Sequence, residues 1–254
     1  MTLRLDLNAD VGEHDGPPPP AVRALLRVIT SASIACGSHA GNDISMRETI
    51  AEATALGVQI GAHPSFPDRE GFGRRVLAMP PREISDAVAH QVQTLAAIAR
   101  AERTHLRHVK PHGALYNTAW HDATVADAIV AGMLDADGSL ALYAPPGSAL
   151  AAAGRTAKLT VVAEGFADRG YDDDGRLVPR GRPGAVIEAA GEVGRRVLEW
   201  ARTGQIVAQS GRPLRLSIDT LCVHGDTPDA AHIAAGLRDL LLAAGVTLRP
   251  SLDP

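Results

Sequence analysis

Short β-type runs alternate with helical segments along almost the whole chain, and this alternation limits the fold more than any other feature. Strand candidates cover residues 3–8, 32–36, 58–62, 105–110, 140–144, 159–163 and 214–220. Several are rich in Val, Ile and Leu, as strands buried on both faces must be. Helical spacing fills the gaps. Residues 21–30 place Val22, Leu25, Leu26 and Ile29 on one face. A helix opens at Ser45, with Glu48 three residues on as a capping box, and carries Met46, Ile50 and Ala53. Prolines precede a longer helix bearing Ile84, Val88, Leu95 and Ile98. After Asp122, Val125, Ile129 and Met133 repeat every four residues until Asp137-Gly138 breaks the chain. Residues 184–201 form another helix, and the last begins at an N-cap Thr227-Pro228 and stops before Gly245. Strands alternating with helices imply right-handed βαβ crossovers and a mainly parallel α/β sheet.

Seven strands in one domain, residues 1–254, allow an open doubly wound sheet or a closed barrel. The residues just after each strand decide between them. The first strand leads into Asn8, Asp10 and Glu13, and the second into His39 and Asp43. The third supplies His63, Asp68, Arg74 and Arg75; the fourth supplies Lys110 and His112. The sixth supplies Glu164, Asp168 and Arg169, and the seventh supplies His224 and Asp226. The fifth offers "APPGSA", with no ionisable group. In a parallel barrel these ends converge on one mouth. In an open sheet only those at a switch point would meet. The pattern therefore favours the barrel, with "HVKPHG" at the rim of its site. Pro64 and Pro111 end their strands and fix the exits beside His63 and His112. Residues 168–183 form a polar, Gly-rich excursion of lid length.

Composition narrows the function. Of 254 residues, 45% are hydrophobic, enough for one substantial core, and the net charge is −4. Basic residues are scattered and aromatics are scarce, which argues against a nucleic-acid partner. No apolar run approaches the roughly 20 residues a membrane span needs. The N-terminus, "MTLRLDLNAD", has no signal-peptide pattern, so a cytoplasmic protein is expected. Cys36 and Cys222 are too few and too far apart for a disulfide framework, and read as small buried residues. Cys222, two residues before His224, is the nearer to the site. His14, His90, His105, His108, His121 and His232 read as structural or surface residues.

The chemistry stays open at this level. Histidines and carboxylates at strand ends suit a metallohydrolase with an open position for water. They equally suit a metal-free site with a His or Asp base and Lys110 stabilising an oxyanion. There is no H-E-x-x-H, no phosphate-binding P-loop, no G-x-G-x-x-G after a strand and no G-x-S-x-G elbow.

Six long motifs go further. "DLNADVGE", "IACGSHAGN", "GAHPSFPDREGFGRR", "VKPHGALYN", "FADRGYDDDGRLVPR" and "CVHGDTPDA" stand in one order from Leu5 to about Ala230. Together they resemble the LamB/YcsF family. The resemblance implies a seven-stranded (β/α) barrel of the glycoside hydrolase/deacetylase type. It implies a subunit of an ATP-dependent 5-oxoprolinase, which opens the lactam of 5-oxoproline to L-glutamate with ATP, its Mg counterion, and partner subunits B and C. For that reaction the groups at the barrel mouth expected to be catalytic are Asp10, His39, His63, Lys110 and His112. Asn8, Glu13, Arg75, Asp168, Arg169, His224 and Asp226 are implied to bind substrate. Departures flank His39: Ser33 replaces a usual Asn, Ser38 a usual aromatic, and Asn42-Asp43 follows Gly41 without the usual proline. Two other functions compete: a free-standing metal-dependent amidohydrolase or deacetylase, and a non-catalytic lactam-binding subunit.

Overall fold

A computed structural model describes residues 3–187, 189–223 and 230–252. In chain order its elements are β1 (Arg4–Val11), α1 (Pro20–Leu26), β2 (Ser31–Ala35), α2 (Asp43–Ala55), β3 (Gln59–His63) and α3 (Pro81–Ala101). There follow β4 (His108–Val109), α4 (Gly113–Ala119), α5 (Ala123–Asp137), β5 (Ala141–Ala144), α6 (Ala149–Thr156) and β6 (Val161–Phe166). The chain finishes with α7 (Ala190–Thr203), β7 (Gln205–Val207), β8 (Pro213–Arg215), β9 (Thr220–Cys222), α8 (Ala230–Ala243) and β10 (Thr247–Leu248).

Seven parallel strands close into a barrel in the order β1-β2-β3-β4-β5-β6-β9, and β9 returns to β1 with Asp6 opposite Thr220 and Asn8 opposite Cys222. The short β10 adds to the start of β1, Arg4 opposite Thr247. The seventh strand is not where the sequence pattern puts it. Residues 213–215 belong to an antiparallel hairpin with β7, outside the barrel, and the barrel strand is Thr220–Cys222. Leu214, Leu216 and Ile218 alternate like a strand, but they pack around α7, where the Trp200 indole N–H donates to the Leu216 carbonyl at 2.8 Å.

The helices differ in detail. The cap of α2 is Asn42, whose side chain accepts from Ser45 N while the Ser45 hydroxyl accepts from Asn42 N. Ser45 is thus the third helical residue rather than the first, and Glu48 has no part in the box. Asp122 caps α5, accepting from Thr124 N and Val125 N. Helix α7 starts at Ala190 rather than 184, and α4 and α6 are additional short helices. The Thr227-Pro228 cap lies outside the described residues.

Strand alternation divides the protein into two interiors. On β1, Leu5, Leu7, Ala9 and Val11 face the helices and join the main hydrophobic core. Asp6, Asn8 and Asp10 take the other face, inside the barrel. That inner face is unusually polar: Ser33, His63, His108, Glu164 and Thr220 share it, and each is buried. Asp6 fixes its lower part by accepting from four hydroxyls, those of Thr30, Ser31, Thr220 and Tyr143, at 2.5–3.0 Å. Gly61 makes room for the His108 ring; a Cβ there would lie 2.3 Å from it. Among the described residues, no helix is long and apolar enough to cross a membrane.

Candidate active site

The upper end of the barrel opens into a cavity of about 430 Å³. Asp10, Glu13, His63, Lys110 and His112 form its floor. They come from the ends of β1, β3 and β4, as the strand-end pattern predicts, and His39 from the end of β2 lies directly beneath.

Lys110 is the centre of charge. It is 2% exposed. Its ammonium lies 2.9 Å from Asp10 Oδ1, 2.8 Å from Glu164 Oε1, 3.2 Å from Asn8 Oδ1 and 3.1 Å from Cys222 Sγ. Burial alone would pull its pKa down, but Asp10, Cys222 and Glu164 outweigh burial and hold it well above the usual lysine value. Lys110 is therefore a fixed cation, not a nucleophile or proton donor. Glu164 is held in turn: Tyr116 OH donates to Oε2 at 2.7 Å and Asn8 Nδ2 to Oε1 at 3.1 Å. Burial pushes the Cys222 thiol well up, so it stays protonated.

Beside this cluster stand three imidazoles. His39 and His112 stack with ring centres 3.9 Å apart, and His63 meets both edge-on. Burial drives His39 and His112 down to about 3, helped by the neighbouring His63, so both rings are neutral at pH 7. Hydrogen bonds set the tautomers. His63 Nδ1 lies 2.7 Å from the Lys110 carbonyl, which only accepts, so Nδ1 carries a proton. His112 Nε2 lies 2.9 Å from the Phe72 carbonyl, so its Nδ1 is unprotonated. His63 Nε2 faces this unprotonated nitrogen at 2.9 Å. Two ring nitrogens at that separation hold a proton or a cation between them.

Carboxylates close the gap from the side. Glu13 Oε1 lies 3.2 Å from His39 Nε2 and 3.4 Å from His112 Nδ1, and Asp10 Oδ2 lies 3.4 Å from His63 Nε2. The donor atoms of Glu13, His39, His63 and His112 all fall within 4.8 Å of one another. Among the described residues, His39 Nδ1 is buried without a hydrogen-bond partner. One carboxylate and three imidazoles are a donor set suited to a small divalent cation. The residues present therefore fit a metal.

The opposite wall is basic. Arg74 comes from the loop after β3, and Arg169, Arg176 and Arg180 come from the strap after β6. The Arg169 guanidinium is buried and pins the strap, donating to Ala185 O at 2.9 Å and Val178 O at 2.7 Å.

Sequence pattern and structure diverge at several positions. Arg75 does not line the cavity. It is drawn onto Asp68 and Glu70, and its neighbour Arg74 takes the wall position. Asn8 is buried, and its Oδ1 accepts from Lys110 Nζ at 3.2 Å. Asp168 is buried off the cavity wall. His224 and Asp226 lie outside the described residues. Glu164 and Tyr116 are the main additions. Glu164 is visible in the sequence as a strand-end acid, but only closure of the barrel brings it to Lys110.

A parallel barrel closed by seven strands is a fold shared with deacetylase-type barrels. The catalytic domain of a peptidoglycan N-acetylglucosamine deacetylase from Eubacterium rectale shares the fold at 13% identity, with a TM-score of 0.53 over all of this chain and 91% of that one. The model of the LamB/YcsF family matches residues 5–253, and the chain belongs to that family. It is 49% identical over 247 residues to a protein of Methylococcus capsulatus named as the A component of 5-oxoprolinase, covering 97% of this chain and 95% of the relative. A lactam utilization protein from Thermus thermophilus has the same structure, with a TM-score of 0.91 at 40% identity, over 97% of this chain and 99% of that one.

Proposed function

We propose that this chain is the lactam-hydrolysing subunit of an ATP-dependent 5-oxoprolinase, acting with subunits B and C in the cytoplasm to open 5-oxoproline to L-glutamate. The carrying observation is the fixed Lys110 cation beside Asp10 and His63 at the cavity floor. The relatives' names supply the substrate. A lactam is a stabilised amide, and water attacks it only after its carbonyl is activated. Transfer of the ATP γ-phosphoryl to the lactam oxygen, with ADP leaving, provides that activation. Water then adds at the carbonyl carbon. Lys110 sits where it can stabilise charge developing on the oxygen. Asp10 Oδ2 takes the proton of the attacking water. Glu164, Asn8 and Tyr116 hold Lys110 in place.

Glu13, His39, His63 and His112 would hold a divalent metal. Such an ion would supply a Lewis acid and a more acidic water. The facing imidazole nitrogens favour this as an addition to the main reading, and also keep a free-standing metal-dependent amidohydrolase in view.

The test is glutamate release from 5-oxoproline and ATP. Activity is expected only when B and C are present, and Lys110→Ala should lower it by about 100- to 1,000-fold. Wild-type turnover in that variant would remove the assignment. ATP-independent hydrolysis by the chain alone, abolished by a chelator, would favour the amidohydrolase.

A further inference from the structure

Among the described residues, three that are not glycine hold a left-handed backbone: Phe72 at φ 55°, Arg103 at 60° and Lys158 at 61°. Two of them have an ordinary reason. Arg103 and Lys158 are exposed and lie just past the ends of α3 and α6. Arg103 N donates to Arg100 O and Thr104 N to Ala99 O; Lys158 N donates to Arg155 O and Leu159 N to Gly154 O. That is a common left-handed close of a helix. Phe72 closes no helix. It stands in the loop between β3 and α3, where a left-handed backbone is disfavoured for any residue with a Cβ and most for a bulky one. Glycine would avoid that cost, and the loop has glycine at 71 and 73 but not at 72. Phe72 is only half-buried, so packing of its ring repays less than a core position would. Strain of this kind persists where the surroundings demand the residue.

The surroundings are the imidazoles of the site, and Phe72 meets them with backbone and ring at once. Its carbonyl accepts from His112 Nε2 at 2.9 Å. The same peptide unit donates from Gly73 N to Asp68 O at 2.7 Å, so the carbonyl is held from both sides. Its ring stands edge-on to both members of the stacked pair, with centres 5.5 Å from those of His39 and His112 and planes at 83° and 81°. We propose that Phe72 is a positioning residue: its strained backbone fixes the tautomer of His112, and its ring fixes the plane of the His39–His112 stack. The carbonyl keeps the His112 proton on Nε2. That leaves Nδ1 facing His63 Nε2 at 2.9 Å and Glu13 Oε1 at 3.4 Å. A backbone carbonyl on one imidazole nitrogen is a general means of deciding which nitrogen is free to act. The left-handed backbone is what lets one residue offer carbonyl and ring to the same pair of rings.

The whole chain, labelled at the histidine ring nitrogens, gives the tautomer by proton–nitrogen correlation spectra, with His112→Gln identifying the His112 signals. Wild type should show one His112 tautomer, protonated on Nε2. Phe72→Gly should show a mixture of tautomers, and Phe72→Tyr should restore the single form. Phe72→Gly should also melt above Phe72→Ala, because alanine keeps the strain and lacks the ring. In the mixture with B and C, Phe72→Gly should lower kcat for glutamate release by up to about 100-fold with KM near wild type, and Phe72→Tyr should recover it. Only this kinetic arm rests on the 5-oxoprolinase reading. A wild-type His112 protonated on Nδ1, or a single Nε2–H form kept in Phe72→Gly, would overturn the proposal. So would an alanine variant melting at or above the glycine one, or a changed tautomer with wild-type kcat. No glutamate release by the wild-type mixture would remove the 5-oxoprolinase reading, and the spectra and melting order alone would then uphold or overturn the role of Phe72.

Discussion

At the residue scale, the site depends on groups that sequence order cannot separate. Arg74 and Arg75 are adjacent and identical, yet one lines the cavity and the other braces a loop. Asp68 makes the difference, because it accepts from Arg75 Nε at 2.9 Å and from Gly71 N at 2.9 Å. The Arg75 contact holds the Asp68 carboxylate down to about 2, from an ordinary 3.8. A carboxylate depressed in the folded state stabilises the fold above its unfolded pKa, and that contribution is lost as pH falls through the folded value. Wild type and Arg75→Ala should therefore differ in melting temperature above about pH 4 and converge toward pH 2. A difference that persists unchanged to pH 2 would show that Arg75 acts otherwise. Glu164 is a second such case. It touches Lys110, Asn8 and Tyr116, so in the proposed reaction it acts through Lys110 as a positioning residue. Glu164→Gln keeps the shape and removes one counter-charge. Loss of alignment at a catalytic group costs about 100-fold, so kcat should fall by that order while KM stays near wild type. Steady-state kinetics of the assembled enzyme reads both. A raised KM at unchanged kcat would place Glu164 in ground-state binding instead.

At the element scale, the Lys110-Pro111-His112-Gly113 corner explains why a strand ends on charged residues. Strand β4 has two residues, and the chain turns out of it straight into α4. Pro111 stops the ladder, and Gly113 opens the helix at φ 56°, in the left-handed region. A Cβ on Gly113 would lie 2.5 Å from the Gly73 carbonyl, which accepts from Ala114 N at 2.9 Å. That contact locks the loop after β3 against His112. Gly113→Ala should lose about 1–2 kcal/mol from backbone strain alone. It should also lower kcat, because His112 must shift. Urea unfolding and single-turnover rates would check the two effects, and an unstrained, fully active variant would contradict them. Much of this level is legible in the sequence: the punctuating Pro and Gly, the helical repeat of α5, and the polar strand ends all stand there. The cap of α2 is not. Asn42 and Ser45 can each cap, and only the backbone at Asn42, extended at φ −152°, decides which does.

At the scale of the whole molecule, closure makes the site. The alternation Asp6, Asn8, Asp10 on β1 gives the polar inner face its line, and this much can be read along the chain. The partner of that line cannot. Strand β9 is three residues long, and the better-looking strand pattern before it belongs to the hairpin beside α7. Short strands carry too little alternation to fix their register alone. Here the register is fixed across the barrel. Thr220 Oγ1 accepts from Asn8 Nδ2 at 2.7 Å and donates to Asp6 Oδ2 at 2.6 Å. One hydroxyl thus joins the seam, the buried Asp6 and the Asn8 that positions Lys110. Thr220→Val keeps the shape and removes both bonds, leaving buried polar groups short of partners at a cost of about 1–3 kcal/mol. Thr220→Ser keeps the hydroxyl and should recover most of that loss. If closure carries the site, Thr220→Val should also speed amide exchange along β1 and β9 more than along β3. Denaturant titration with hydrogen exchange on both variants measures this. Equal stability of the two, or exchange raised evenly around the barrel, would mean that packing of the outer helices holds the seam without the inner network.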